Sequence, residues 1–292
     1  MGFLWYPLIC GFIYPISVLI IKQVMPRFGG VWRVTFVSNL AMAAVVLPWM
    51  ISAPAPTADA VWWQPFISGC VFWLGQVFTF LALSKGDASV ATPLMGTKVI
   101  FVALLTVFLM QQMIPLRLWM AAGLTSLALL LLCKTGKKPN PDHHQGITAI
   151  YAFLSALCFA LTDVLTQKFT PFWGVRLFAP LIFLVLALLS FSFIPFFKGK
   201  FSEAPARSWI LLLAASVLLA GVGLAMCYVI GTYGQATVVN VVYNSRGMFS
   251  VIIVWAVGHW FGSRENEVGH RVMGWRLAGA ILLLSAIGLV AL

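Results

Sequence analysis

About ten stretches of roughly twenty mostly apolar residues follow one another along this chain of 292 residues, and a helix needs about 20 such residues to cross the hydrocarbon core of a bilayer. They cover residues 4–21, 31–51, 66–84, 89–110, 115–133, 147–167, 175–195, 209–229, 238–258 and 273–292. The connections are short, carry Gly, Pro and charge, and leave no room for a separate soluble domain. The composition is 62% hydrophobic and 9% charged, where a soluble domain has roughly 45–50% and 25%. A water-soluble globule is excluded. A membrane β-barrel is built from alternating segments of about 10 residues, whereas these runs are longer and apolar all round. The chain is therefore predicted to be all-α, a polytopic membrane protein with one transmembrane domain over residues 1–292. The first run has no basic segment before it and no small-residue cleavage site, so it reads as a span rather than a signal peptide.

The formal net charge is +11. In a soluble protein that excess suggests nucleic acid or an acidic partner. Here it concerns orientation, and no nucleic-acid partner is expected. Lys22, Arg27 and Arg33 fall at the first connection, Lys85 at the third, and Lys134, Lys137 and Lys138 at the fifth. The seventh holds Lys198, Lys200 and Arg207, and the ninth Arg264, Arg271 and Arg276. The even connections have only Arg117, Lys168 and Arg176. The positive-inside rule puts the odd connections in the cytoplasm and both termini outside.

An internal repeat runs through these spans. Lys85-Gly86-Asp87-Ala88-Ser89-Val90 matches Tyr233-Gly234-Gln235-Ala236-Thr237-Val238 at an offset of 148, which also aligns Gly75 with Gly223, Lys98 with Arg246 and Phe101 with Phe249. Trp119-x-x-Ala122-Gly123 recurs as Trp275-x-x-Ala278-Gly279, and Tyr6, Pro26 and Gly29 are echoed by Tyr151, Pro171 and Gly174 at an offset of 145. Their common order indicates a duplicated five-helix unit, residues 1–137 and 138–292. Five is odd, so the second copy enters the membrane from the opposite side. Inverted repeats of this kind are typical of secondary transporters.

Ala82-Leu83-Ser84-Lys85-Gly86-Asp87-Ala88-Ser89-Val90-Ala91, then Val99-Ile100-Phe101-Val102-Ala103-Leu104-Leu105 and Pro115-Leu116-Arg117-Leu118-Trp119, resemble the EamA-type repeat of the drug/metabolite transporter (DMT) superfamily. The second half resembles it too. Family repeats often have Pro where Val99 and Gly247 stand, and Gly-Glu-Arg where Gln111-Gln112-Met113 stands; Arg264-Glu265 retains part of that element in the second half. The resemblance implies a ten-helix transporter of small molecules, in the inner membrane of a bacterium, and no enzyme.

Lys98 and Arg246 are each placed mid-span, in the fourth and ninth helices. A charge at the bilayer centre costs at least about 2.5–3.5 kcal/mol, so neither is expected to face lipid. Either they bind an anionic group, Arg246 as a planar fork and Lys98 as a point charge, or each bonds helix-end carbonyls or a carboxylate and locks the bundle. Equivalent repeat positions favour the binding role. The resemblance points the same way, since phosphate-exchanging and nucleotide-sugar members use basic residues on corresponding helices, and Asn244-Ser245-Arg246 is similar to the Asn-Lys element of the latter.

Tyr243, Arg246 and Ser250 follow i, i+3, i+7 spacing on the ninth helix, with Asn240 and Asn244 alongside. Met95 shares a face with Lys98, and Gln76 and Thr79 make a polar patch in the third helix. These residues either fix a substrate's polar groups or bind helix to helix. Asp163, between Thr162 and Thr166, is the one acidic residue inside a predicted span. It is a coupling candidate that carries a proton or pairs with a cation, or else a carboxylate near the outer interface, hydrated or bonded to Thr.

Cys10, Cys70, Cys133, Cys158 and Cys227 have no Cys-x-x-Cys spacing, and His143, His144, His259 and His270 have no metal-ligand spacing. Neither disulfides, a metal site nor a cofactor is expected, and no phosphate-binding loop is present. Most Trp residues fall at span ends; Trp73 and Trp255 are deeper and are candidates to line a cavity. The reading is a secondary transporter of a small anionic or zwitterionic metabolite, working by alternating access or exchange, with a proton or counter-substrate as coupling partner. An exporter of amino acids or amphipathic compounds is the alternative, and a scramblase or assembly partner the alternative from another class.

Overall fold

With no water in the hydrocarbon core, backbone groups must bond within their own segment, and helices accordingly take up most of the chain. A computed structural model describes residues 2–85, 94–132, 145–197, 204–257 and 270–291. Its helices are α1 (Trp5–Val24), α2 (Val31–Val46), α3 (Trp63–Lys85), α4 (Lys98–Met110), α5 (Leu116–Leu132), α6 (Gln145–Trp173), α7 (Val175–Ser190), α8 (Ala206–Tyr233), α9 (Ala236–Tyr243), α10 (Arg246–Val257) and α11 (His270–Ala291). Tighter 3-10 turns extend α1 through Met25–Phe28, α2 through Leu47–Ser52 and α7 through Phe191–Phe196. Among the described residues, six helical segments are long and apolar enough to cross a membrane: Gly2–Phe28, Val31–Ser52, Trp63–Leu83, Gly146–Trp173, Val175–Phe196 and Ala206–Tyr233. The protein is an all-α, polytopic integral membrane protein.

The first, sixth and eighth spans run longer than the apolar stretches suggest, taking in Lys22 and Arg27, Lys168, and Arg207 respectively; Lys168 Nζ donates to the Leu109 carbonyl at 3.1 Å and Arg27 to Ser208 Oγ at 3.4 Å. Left-handed glycines turn the chain between spans: Gly29 (φ 72°) after α1 and Gly174 (φ 70°) between α6 and α7. These two are related by the 145-residue offset. The most extensive helix contacts pair α3 with α6, α1 with α8 and α5 with α11, and α2 lies against both α7 and α8. Small residues bring helices close, as membrane packing favours. A Cβ at Gly279 would sit 2.7 Å from the Ala128 carbonyl, and one at Gly231 would overlap the Thr170 side chain. Trp5, Trp62, Trp63 and Trp275 are exposed near helix ends, as an interfacial belt requires.

The fourth and ninth spans differ from expectation. Neither is a continuous helix: Gly96-Thr97 form a turn before α4, and Asn244-Ser245 form a turn between α9 and α10.

Candidate functional site

At the first interruption a short polar side chain competes with the helix for a backbone carbonyl, and at the second the turn is held by backbone bonds, Asn244 Nδ2 and Ser245 Oγ having no hydrogen-bond partner among the described residues. The Thr97 hydroxyl donates to the Leu94 carbonyl at 2.6 Å, and the Thr97 amide donates to the same oxygen at 3.1 Å. The Ser245 amide reaches back three residues to Val242 at 3.0 Å. Lys98 and Arg246 are thus the first residues of α4 and α10 rather than mid-helix residues. Helix α1 packs closely onto the second break: a Cβ at Gly11 would lie 2.6 Å from Ser245 Oγ, 3.2 Å from the Arg246 nitrogen and 3.3 Å from the Tyr243 carbonyl oxygen.

Both cations line one cavity of about 360 Å³. Its charged end contains Lys98, Asp163, Arg246, Tyr14, Tyr243, Met95 and Cys227; its other walls include Ser38, Asn39, Gln76, Thr79 and the aromatic rings of Phe72, Phe80, Phe159 and Phe183. The lining reaches Ile21, Met25 and Val31 at the adjoining ends of α1 and α2. A packed cluster including Cys10, Val102, Val229 and Val239, all buried, adjoins the cavity and shares Tyr243 with its wall.

The two cations have different partners. Lys98 Nζ is 2.6 Å from Asp163 Oδ2, and Asn240 Nδ2 donates to the same oxygen at 2.7 Å. The Arg246 guanidinium carbon lies 5.0 Å from the centre of the Tyr14 ring and 4.8 Å from that of Tyr243, within cation–π range. The two rings meet edge to face, 6.1 Å apart. Among the described residues the acidic side chains are Asp59, in the loop before α3, and Asp163, and no carboxylate pairs with Arg246.

Of the residues singled out in the sequence, Lys98, Arg246, Tyr243, Met95, Gln76, Thr79 and Asp163 are in the cavity wall. Asn240 is buried behind Asp163 and also donates to the Ala236 carbonyl at 2.9 Å. Asn244 and Ser250 are not wall residues. The break separates Tyr243 from the helix carrying Arg246 and Ser250, so continuous i, i+3, i+7 spacing does not hold. Asn244 is buried at the break, and its Nδ2 has no hydrogen-bond partner.

The placement of Asp163 near the outer interface, bonded to Thr, is corrected. The Thr162 and Thr166 hydroxyls donate to the carbonyls of Cys158 and Thr162, leaving the carboxylate to Lys98 and Asn240. Trp73 is outside the wall and stacks on Phe193 at 5.8 Å. The Trp255 side chain, Cys133, His143, His144, His259, the His270 side chain and the first copy of the repeat motif, Gly86 to Val90, lie outside the described residues. Among the described residues no His, Cys, Asp and Glu cluster suited to a metal ion occurs.

Tyr14, Asn39, Phe159 and Cys227 were not identified from sequence. The signal for Asn39 was present, a lone amide in an apolar span. It donates to Gln76 Oε1 at 2.9 Å and Ser190 Oγ at 2.7 Å, and Gln76 donates back to Asn39 Oδ1 at 3.2 Å. The aromatic residues gave no signal in a chain with 23 Phe.

A second hollow, of about 440 Å³, lies at the other end of α9, lined by Phe3, Gln112, Arg117, Gln167, Gln235 and Thr237 among others. Gln167 sits between it and the core: its Oε1 accepts the Ala236 amide at 2.8 Å and its Nε2 donates to Gln112 at 3.2 Å.

Residues 1–133 match the model of the EamA-like transporter family. No curated protein matches the chain. A solved crystal structure superposes with a TM-score of 0.75 at 12% identity, covering 99% of this chain and 97% of the other. At that identity the likeness concerns the fold alone.

Proposed function

We propose that this chain, whose residues 1–133 match the EamA-like transporter family, is a secondary transporter for a small anionic or zwitterionic metabolite. The carrying observation is that Lys98 and Arg246, at equivalent sequence positions and each at a helix break, line one cavity. Discontinuous helices at the membrane midplane are the usual setting of such sites.

The transporter has ten spans in two inverted five-helix repeats, residues 1–137 and 138–292. Helix pairing supports this reading. Exchange of the halves turns the α3–α6 contact into the α1–α8 contact and the α2–α8 contact into the α3–α7 contact, and all four are extensive. The odd connections face the cytoplasm and the termini the outside of a bacterial inner membrane. The cavity, reaching Met25 and Val31 beside the first connection, then opens inward.

Substrate binding brings an acidic group to Lys98 and Arg246, with Tyr243, Gln76, Thr79 and Met95 beside it. Asn240, Asn244 and Ser250 support α9 and α10 from behind the wall. Moving the empty site across the bilayer carries the Arg246 charge with it, which is costly, so exchange outpaces net transport. Counterflow in proteoliposomes tests this. Trans-stimulated uptake of acidic compounds that falls in Lys98→Ala and Arg246→Ala is expected; unchanged uptake in both variants overturns the assignment. The aromatic cavity wall favours one second reading, export of amino acids or amphipathic compounds, which selectivity for cations over anions would support.

A further inference from the structure

Among the described residues two cations and one carboxylate line the cavity, and the carboxylate is already committed. Asp163 touches Lys98 at 2.6 Å and accepts from Asn240 at 2.7 Å. Arg246 lies over the Tyr14 and Tyr243 rings and hydrogen-bonds Tyr243, and among the described residues no carboxylate forms an ion pair with it, so these contacts lower its energy without cancelling its charge. Among the described residues the site therefore has one positive charge without a paired carboxylate.

The sequence offset of the halves makes this asymmetry specific. At the 145-residue offset Asp163 corresponds to Val18, and Phe159 to Tyr14; at the 148-residue offset Met95 corresponds to Tyr243. Arg246 thus meets two tyrosines, Tyr14 from the first half and Tyr243 from the second, at positions whose repeat equivalents are Phe159 and Met95, while Lys98 is paired by Asp163 of α6, a second-half carboxylate whose own equivalent is Val18. Arg246 has no mirror counter-ion.

We infer that Asp163 sets the valence of the substrate: the cavity takes a singly charged carboxylate on a small apolar body and rejects dianions. This rests on the transporter reading above and deepens it. A single carboxylate neutralises Arg246 while the Lys98–Asp163 pair stays intact. A second carboxylate would have to expel Asp163 from Lys98 or lie uncompensated beside it, and an uncompensated charge in a poorly hydrated site is strongly disfavoured. The substrate's apolar body fits against Phe72, Phe80, Phe159 and Phe183, with Met42 and Ile182 completing that side. The volume of about 360 Å³ lies near the lower end of the roughly 300–1,000 Å³ of small-molecule sites, suiting a one-ring acid.

The probes are 3-phenylpropionate and benzylsuccinate, which share a phenylpropionate skeleton and differ by one carboxymethyl group. Their dissociation constants are measured calorimetrically on the purified, detergent-solubilised full chain, and counterflow of each is measured separately in proteoliposomes. The wild type is expected to bind the monoacid at least tenfold more tightly. Asp163→Asn, which raises the unmatched charge to two, should bring the ratio to one or invert it. Lys98→Gln with Asp163→Asn restores a single unmatched charge and the monoacid preference, and it serves as the second test should the single variant not fold. Equal or tighter diacid binding by the wild type, no binding of either acid, or loss of the preference in the double variant overturns the proposal. Monoacid binding without counterflow would instead overturn the transporter reading while leaving the valence rule standing.

Discussion

The carboxylate of Asp163, on α6, holds Lys98, on α4, at 2.6 Å and ties this pair to α9 through Asn240 at 2.7 Å. One oxygen thereby joins three helices. The two charged side chains are 12% and 17% exposed, so removing either leaves the other with little water to replace it. Lys98→Met and Asp163→Leu alone should each lower stability by roughly 2–4 kcal/mol, whereas the double substitution should recover most of it. Thermal unfolding in detergent micelles measures this. A double variant no more stable than the singles would show that the pair is not what the singles lose.

Arg246 is positioned by two aromatic faces rather than by a counter-ion, so a lysine there keeps the charge and loses both the planar stack and the fork. Arg246→Lys is expected to reduce counterflow about tenfold or more. Tyr14→Leu removes one cation–π contact, worth about 0.5–2 kcal/mol, and should slow uptake several-fold, while Tyr14→Phe keeps the ring and most of the rate. Initial rates of counterflow discriminate the three. Equal effects of Leu and Phe at position 14 would point to the hydroxyl instead of the ring.

Apolar run length made the spans readable in the sequence, because the bilayer sets a minimum that few other constraints mimic. The 148-residue offset singled out Lys98 and Arg246, and both line one cavity. The breaks beside them were not. Thr97, Asn244 and Ser245 are common enough in membrane helices that only the backbone bonds to Leu94 and Val242 show where the ladder fails. The Lys98–Asp163 pair was also out of reach, since α4 and α6 meet through tertiary packing and no local spacing relates positions 98 and 163. Tyr14 illustrates the same limit: it is one more aromatic in an apolar helix until α1 is placed against α10.

Gly11 is the residue that permits that placement. Its missing side chain leaves room for Ser245 Oγ and for the backbone at Tyr243 and Arg246, all within 3.3 Å of where a Cβ would stand. Ser245 can rotate away, but the backbone atoms cannot. Gly11→Val should therefore destabilise the protein by about 1–3 kcal/mol through overpacking and shift Arg246 from its tyrosines, reducing counterflow more than Gly123→Ala, a position with open space around it. Paired unfolding and flux measurements test this, and equal behaviour of the two variants would contradict it.

Gln167 guards the opposite end of α9. It is 3% exposed, and its side chain satisfies the amide of Ala236, the first residue of that helix, at 2.8 Å. Leucine at this position would leave a buried donor without a partner, costing about 1–3 kcal/mol. Glutamate would keep the acceptor and place negative charge at a helix N-terminus, where it is favoured, against the loss of the bond to Gln112 and the cost of burying a carboxylate. The expected order of thermal stability is wild type, then Gln167→Glu, then Gln167→Leu. Because α9 separates the 360 Å³ cavity from the 440 Å³ hollow, loosening its first turn should also raise substrate leak from loaded proteoliposomes. Leak confined to the leucine variant would assign the seal to the Ala236 amide bond, and unchanged leak in both would remove Gln167 from the barrier.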